Sequence, residues 1–176
     1  MNTQIQTNLI SLGASSGLVN VTDGLTDTLL TLCKTYIPGL PNRYKGLQPI
    51  ESQGVSIPCV MLQPVSTAPA MNTTAKFQKF YLFDFWFAVG DGTVAATVVR
   101  ATDAGEIFMK LFSNNALNDR TTATPTNKFK TNGSLWVDSE MTRVEYSVPF
   151  IMEKPNYPKY VALGNFQLKL QTVNLV

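Results

Sequence analysis

The sequence has no histidine, two cysteines and few charged side chains. Of its 176 residues, 15% are charged, against about 25% in an average soluble domain. Without an imidazole the chain cannot build a Ser/His/Asp or Cys/His nucleophile system, a His-ligated metal centre or a histidine proton switch. The net charge of +2 also argues against a protein whose main task is to wrap nucleic acid, because that task usually needs a strongly basic domain.

The polar surface is therefore built mostly from amides and hydroxyls, since 51 residues are Ser, Thr, Asn or Gln. Hydrophobic residues make up 44% of the chain, which is enough for a folded core, and the length fits one domain of ordinary size. No segment approaches the run of about 20 apolar residues that a membrane span needs. Because a surface with little charge is poorly protected against association, we expect other subunits to cover much of this protein.

Two segments have the apolar spacing of amphipathic helices. The first begins at Thr22-Asp23-Gly24, carries its apolar stripe over Leu25–Ile37 and is ended by Pro38-Gly39. Cys33 lies on this stripe, so we expect it to be a reduced core residue rather than a reactive thiol. The second helix follows Asp91-Gly92-Thr93 and presents one apolar stripe, formed by Val94, Val98, Ala101, Gly105, Phe108 and Phe112.

The strongest strand signal is Lys76–Val89, which is apolar on both parities and is therefore expected to be covered on both faces. A continuous strand of this length would span about 46 Å at ~3.3 Å per residue, so either a bulge breaks it or one end projects into a neighbouring molecule. An earlier strand is predicted at Val55–Leu62, where Pro58 favours an edge or bulged position. Residues 40–53 and 64–75 are predicted to be connections.

The second half of the chain predicts two more strands. Leu135–Met152 alternates cleanly in its second half, with Arg143 and Glu145 on the wet side. Residues 155–164 are rich in turn signals, and 166–171 alternate again as a last strand. A long polar connection over 113–133 carries Arg120, Lys128 and Lys130, and loops of this length are commonly functional or form subunit contacts.

These elements predict an α+β fold in which an antiparallel, partly mixed β-sheet packs against two α-helices. We expect an extended N-terminal arm over residues 1–21, a single α+β domain over 22–152, and a C-terminal extension over 153–176 that ends in a strand. The arm has little to bury by itself, so it is expected to lie against something else.

Few residues qualify as chemical sites. Asp138 and Glu140 lie two apart on one predicted strand face, where two carboxylates can hold a cation or do acid–base work, although a solvated strand face explains them more simply. Asp84 lies among aromatic residues and therefore needs a partner, for which the candidates are Lys79, Arg100 and Arg143, in the same chain or the next.

The order of elements resembles the tail-terminator, or tail-completion, proteins of long-tailed bacteriophages. Those are small subunits with an N-terminal helix, a proline-bearing first strand, a long aromatic strand ending in an Asp-Gly turn, and a second helix followed by antiparallel strands. The matching stretches cover most of residues 22–152 and are Leu25–Ile37, Val55–Leu62, Lys76–Val89 with Gly90-Asp91-Gly92, Thr93–Phe112 and Trp136–Met152. The segments before Asn20 and after Pro155 lie outside this pattern.

The resemblance implies a structural virion protein of the tail or neck, assembled in the host cytoplasm. It implies a homo-oligomeric ring, usually of six subunits, that stops growth of the tail tube and joins it to the head connector. Its partners would be further copies of itself, the tail-tube protein and a connector or neck protein, with DNA passing through the ring without sequence-specific binding and with no membrane contact. We expect no enzymatic activity, cofactor or metal. The candidate interface or lumen residues are Lys76, Lys79, Asp84, Arg120, Lys128, Lys130, Arg143 and Glu145.

Three alternatives remain open at this point. The nearest is another virion subunit of the neck, tube or baseplate. A second is a small-molecule binding module that uses the aromatic strand as a pocket wall, which predicts a closed apolar cavity. The third is an enzyme that uses Asp138, Glu140 or Asp84, which predicts a pocket with a perturbed carboxylate.

Overall fold

The structure, a computed structural model, describes residues 21–69, 78–112, 130–131 and 134–174. Within these ranges two helices pack on one face of a mixed sheet. The helices are α1 (Val21–Tyr36) and α2 (Val94–Phe112). The strands are β1 (Asn42–Lys45), β2 (Cys59–Pro69), β3 (Gln78–Asp91), β4 (Lys130–Thr131), β5 (Ser134–Met141), β6 (Glu145–Tyr146), β7 (Phe150–Ile151) and β8 (Tyr160–Asn174). The predicted α+β class is confirmed.

The sheet has the strand order β1-β2-β3-β8-β5-β4, and β6 and β7 also pair with β8. Only the β1–β2 pair is parallel among the pairs of the described residues. β3 and β8 pair without interruption from Gln78↔Val173 to Asp91↔Tyr160. The strand predicted at the end of the 153–176 segment is therefore longer than expected, and it lies at the centre of the sheet.

The main core lies between the sheet and the two helices. Alternate residues of β3 point into it, and they are buried: Tyr81, Phe83, Phe85 and Phe87. Across the ladder, β8 contributes Phe166, whose ring stacks on Phe85 with centroids 4.8 Å apart. Phe108 and Phe112 of α2 close the cluster from above. Buried aromatic area of this kind is the largest favourable contribution to the fold.

A second apolar cluster covers part of the opposite face. Its buried members include Cys59 and Met61 of β2, Ala88 of β3 and Val161 of β8. Trp86 packs against this cluster and stays partly exposed. The prediction that the long aromatic strand is covered on both faces is thus correct for its second half, while Asp84 and Leu82 face a more open part of the sheet.

Both predicted helices are confirmed, with one correction to the buried face of α2. Thr93 caps α2, because its Oγ1 accepts a hydrogen bond from the Ala96 N–H at 3.2 Å. Val94 and Val98 were expected in the buried stripe, but both are exposed. The helix instead turns a face centred on Ala101, Ala104 and Phe108 toward the sheet, and the small residues allow its backbone to approach closely. The buried positions are Thr97, Ala101, Ala104, Gly105, Phe108, Leu111 and Phe112.

The first strands are displaced from their predicted positions. β2 begins at Cys59, so Pro58 precedes the strand instead of lying inside it, and the Ile57–Pro58 peptide is cis. The strand then continues through the predicted connection to Pro69, with a bulge between Pro64 and Ser66. A proline that cannot donate a ladder hydrogen bond is tolerated at such a bulge. β1 lies within 40–53, which was predicted to be a connection.

The single strand predicted over Leu135–Met152 is three strands, β5, β6 and β7, that follow one another along β8. Side-chain hydroxyls interrupt the ladder. Thr142 Oγ1 accepts from the N–H of Gln167, and Ser147 Oγ accepts from the N–H of Leu163. Such side-chain hydrogen bonds replace backbone partners, so the segment stays beside β8 without forming a continuous strand. No helix in the described part of the chain is long and apolar enough to cross a membrane.

Candidate functional site

Three of the predicted interface residues meet at one groove on the sheet face opposite the helices. This polar groove has a volume of about 380 Å³ and is lined by Asp84, Trp86, Thr142, Arg143, Glu145, Asn165, Phe166 and Gln167. Lys79 lies further along β3, opposite Thr172 and Pro69, and does not line it. Lys76, Arg120 and Lys128 lie outside the described residues, and of Lys130 only the backbone, in β4, is described.

The register of the central strands builds the floor of the polar groove. Asp84 on β3 lies directly opposite Gln167 on β8, and Trp86 lies opposite Asn165. Side chains two residues apart on a strand point to the same face, so an indole, a carboxylate and two amides lie side by side. The 142–145 segment forms a wall, because Thr142 and Glu145 pair with β8 on either side of Arg143.

The partner of Asp84 is an amide and none of the three predicted cations. Gln167 donates from Nε2 to Asp84 Oδ1 at 2.8 Å. Arg143 instead donates through Nε and Nη2 to Glu145 Oε1 at 3.1 and 2.9 Å. Arg100 pairs with Asp91 at 2.7 Å. Each arginine therefore has a carboxylate nearer in sequence, and this local pairing takes precedence over the predicted contact with Asp84.

A set of exposed apolar side chains, here called the apolar strip, lies on α2 and on the segment from β6 to β7, and the two elements meet where Tyr146 contacts Gly105. It consists of Val94, Val98 and Met109 on the helix and Tyr146, Val148 and Ile151 on the strands and their connection. Val148 is 83% exposed, which is unusual for a valine in a segment predicted to alternate between core and solvent. Exposed apolar side chains on two elements that touch each other make this part of the surface a candidate for contact with another subunit.

Tyr146 joins the two halves of the apolar strip. Its hydroxyl lies against Gly105, and a Cβ at that glycine would overlap it. Val98 lies two turns before Gly105 and Met109 one turn after it, so both are on the side of α2 that Tyr146 contacts. Burial, and after it the nearby negative charge of Glu106, raises the pKa of the Tyr146 hydroxyl above its ordinary value.

An apolar pocket of about 480 Å³ lies on the groove side of the sheet. Its wall includes Ile50, Met61, Trp86, Phe150 and Leu163. The loop between β1 and β2 forms one side. Lys154 fixes this loop, because its Nζ donates to the carbonyl oxygens of residues 51 and 52 at 3.2 and 3.0 Å. The pocket is preformed and opens to solvent, whereas the small-molecule alternative predicted a closed cavity.

The remaining chemical candidates have structural explanations. Glu140 is exposed and pairs with Lys169 at 3.6 Å across the ladder. This arrangement fits the simpler explanation, in which Glu140 belongs to a solvated strand face. The side chain of Asp138 lies outside the described part of the chain. Among the described residues no group of His, Cys, Asp and Glu side chains is arranged to hold a metal ion.

Both cysteines are free and buried. Loss of solvent raises the pKa of Cys33 to about 12 and that of Cys59 to about 11. The two thiols therefore stay protonated at neutral pH and act as small apolar residues, as expected for Cys33 from its position on the helical stripe.

Sequence reasoning missed several residues that shape these surfaces. Gln167 is a polar position of the predicted last strand and Asn165 comes just before that strand, but their partners depend on β8 lying beside β3. In the predicted 135–152 strand, Tyr146 has the parity of Val144 and Val148, which is the apolar face. Its contact with Gly105 depends on how α2 crosses the sheet, which no local pattern indicates.

No family model and no curated protein matches the sequence. Among solved structures, the chain is similar to a chain of a particle described as the virion of native gene transfer agent. The TM-score is 0.43 and the sequence identity 14%, and the match covers 81% of this chain and 84% of the other. A likeness at this TM-score is a similarity of chain path and carries no argument about function.

Proposed function

We propose that the protein is a structural subunit of a phage-like virion, and more narrowly a tail-terminator-like ring subunit that caps the tail tube and joins it to the head connector. The observation that carries an assembly role is the exposed apolar strip of α2, β6 and β7. Val148 and Ile151 remain largely in water in the single chain, and burying them against another subunit would be favourable.

The virion assignment is supported by the element pattern. The described residues keep the features on which the resemblance to tail terminators depends. These are the first helix, a long aromatic strand that ends at the Gly90-Asp91-Gly92 turn, a second helix, and antiparallel strands after it. The proline-bearing first strand is shifted, since Pro58 lies just before β2.

A closed ring of identical subunits requires two different surfaces on each copy, because each contact joins unlike patches. The apolar strip supplies one. The polar groove and the apolar pocket lie on the opposite face of the sheet and supply candidates for the other. The part of β2 that β1 does not cover, after Leu62, is a weaker candidate, because Pro64 and the adjacent bulge discourage addition of another strand.

Sedimentation velocity on the full chain tests this proposal. We expect a wild-type species of about six subunits. Val148→Asp and Ile151→Asp should give monomers, because each would place a charge in an apolar contact. The matched control is Val99→Asp, since Val99 is an exposed valine on a different side of α2. All variants should keep the wild-type far-UV circular dichroism spectrum, which shows that the subunit still folds, whereas the melting temperature should fall in the monomeric variants because assembly stabilises the native state. A wild-type monomer at micromolar concentration that binds neither tail-tube nor connector proteins would contradict the proposal.

The ring role also sets expectations for partners. Purified rings should bind tail-tube and connector proteins, and should show no sequence preference for DNA, because the net charge is only +2. Another neck, tube or baseplate subunit is the nearest alternative, and it is distinguished by which end of an isolated tail the protein occupies in labelled particles. We propose no catalytic role, cofactor or metal.

The apolar pocket favours one second candidate, a small-molecule binding module. Its volume of about 480 Å³ falls in the range of ligand sites, and its wall is aromatic and aliphatic. This candidate predicts a wild-type monomer that binds an apolar ligand with quenching of Trp86 fluorescence. A ring in sedimentation together with no such binding would eliminate it.

A further inference from the structure

The polar groove contains more hydrogen-bond acceptors than the chain itself satisfies. Asp84 Oδ1 accepts from Gln167, and Glu145 Oε1 accepts both bonds from Arg143. Within the described part of the chain, the second carboxylate oxygen of each acid accepts no hydrogen bond. An ionised carboxylate has about four acceptor sites, so the groove has spare capacity for a donor-rich group.

The net charge of the groove also favours a donor-rich group, and one that is positively charged. Its charged lining residues are Asp84, Glu145 and Arg143, which leaves one negative charge in excess. Arg143 does not cancel the charge of Asp84, because its guanidinium is held by Glu145 at the rim and is 86% exposed. The floor of the groove is therefore complementary to a cation.

Trp86 narrows the class of cation. Its side chain lies next to Asp84 on the same face of β3 and is partly exposed in the groove. A guanidinium is planar, stacks on an indole and donates two parallel hydrogen bonds to one carboxylate, whereas an ammonium is a compact point charge that does neither as well. An anion would be repelled by Asp84, and a neutral ligand would leave its charge unpaired.

We infer that the polar groove binds the guanidinium group of an arginine side chain presented by a neighbouring subunit, stacked on Trp86 and paired with Asp84. The identity of the neighbour rests on the proposed assembly function, but the groove chemistry does not. The groove volume of about 380 Å³ has room for the side chain. The ion pair would make the contact between subunits specific in position and partner, which the apolar strip alone does not.

The test uses the full chain labelled with 5-fluorotryptophan, which gives one fluorine signal for each of the two tryptophans. The probe is N-acetyl-arginine amide, and its matched control is N-acetyl-citrulline amide, which has the same shape without the charge. We expect the arginine probe to shift the Trp86 signal saturably and the citrulline probe to leave it unchanged. Trp86→Phe assigns the signal, and Trp136 serves as the internal reference.

Three variants decide the outcome. Asp84→Asn should weaken binding of the probe about tenfold, as the loss of a charge-assisted hydrogen bond does. Glu145→Gln, at an exposed position, should weaken it severalfold and guards against a folding defect at Asp84. Arg143→Gln should bind the probe more tightly, because it raises the excess negative charge of the groove from one to two. Equal shifts from the two probes, or unchanged affinity in both acid variants, would overturn the inference. Neither result depends on the sedimentation of the apolar-strip variants, so the two proposals can fail separately.

Discussion

Gly164→Ala is the substitution that tests the packing of the sheet against α2 most directly. Gly164 lies in β8 opposite Phe87 of β3. A Cβ at this position would overlap Phe87 Cζ and lie 2.6 Å from Cε2. Real Cβ contacts do not come this close, so either the ring or the strand must move. Gly164 is therefore glycine because an aromatic ring occupies the space of its side chain.

The magnitude follows from how little Phe87 can move. The ring is 1% exposed, and its centroid lies 5.3 Å from that of Phe108 and 6.4 Å from that of Tyr146. Overpacking a core of this kind costs about 1–3 kcal/mol, and the tight neighbours place this site at the upper end. Alanine regains about 0.5–1 kcal/mol by restricting the unfolded chain. We therefore expect a net loss of about 2 kcal/mol in the free energy of unfolding.

Urea denaturation at a fixed protein concentration measures this loss. Gly92→Ala is the matched control, since nothing lies within 4 Å of a Cβ there, and it should gain about 0.5–1 kcal/mol from the restricted unfolded chain. In a Phe87→Leu background the loss in the free energy of unfolding caused by Gly164→Ala should be smaller by at least about 1 kcal/mol, because leucine does not fill the space that the new Cβ needs. Wild-type stability for Gly164→Ala, or additive effects in the double variant, would refute the reasoning.

Three further predictions concern the thiols, a helix cap and a loop. Burial raises the pKa of Cys33 to about 12 and of Cys59 to about 11, so the unfolded chain loses these protons first. The contribution of the two protonated thiols to the free energy of unfolding should be complete below pH 9 and should fall as the pH rises from 9 toward 11. Urea midpoints measured across that range test this expectation. A midpoint that rises with pH would contradict it. Thr93→Ala removes the cap of α2 and should cost about 1 kcal/mol in urea denaturation, with Thr93→Ser close to wild type. Lys154→Met removes two hydrogen bonds to carbonyl oxygens of the β1–β2 loop. Amide hydrogen exchange should become faster in that loop and stay unchanged in β3. Equal protection of the loop in both proteins would show that the lysine does not hold it.

Local patterns predicted the helices well because each carries its own signals. α1 has an apolar stripe that ends at Pro38, and α2 has the cap at Thr93. The predicted buried stripe of α2 was partly wrong, since apolar type alone does not show which face meets the sheet. Val98 is more apolar than Ala101 and yet is exposed, because the smaller Ala101 allows the helix backbone to approach the strands.

The strands were harder to predict because their limits depend on pairing. The long strand over 135–152 has continuous alternation, yet hydroxyls of Thr142 and Ser147 take ladder positions along β8 and divide it. The fold brings some of the candidate interface residues together and leaves others apart. Asp84, Arg143 and Glu145 do share one groove, but Lys79 lies apart from it, and the pairing of Asp84 with Gln167 required the register of β3 against β8.

The sequence by itself determined the α+β class, the two helices, the double-sided apolar strand and the absence of imidazole chemistry, because composition and periodicity act within a few residues. Only the tertiary structure decided that β8 lies at the centre of the sheet and that the polar groove and the apolar strip lie on different faces. Those features arise from contacts between residues such as Asp84 and Gln167, which are 83 positions apart. Such contacts follow from strand order and register, which the whole chain selects by burying the most apolar area at once.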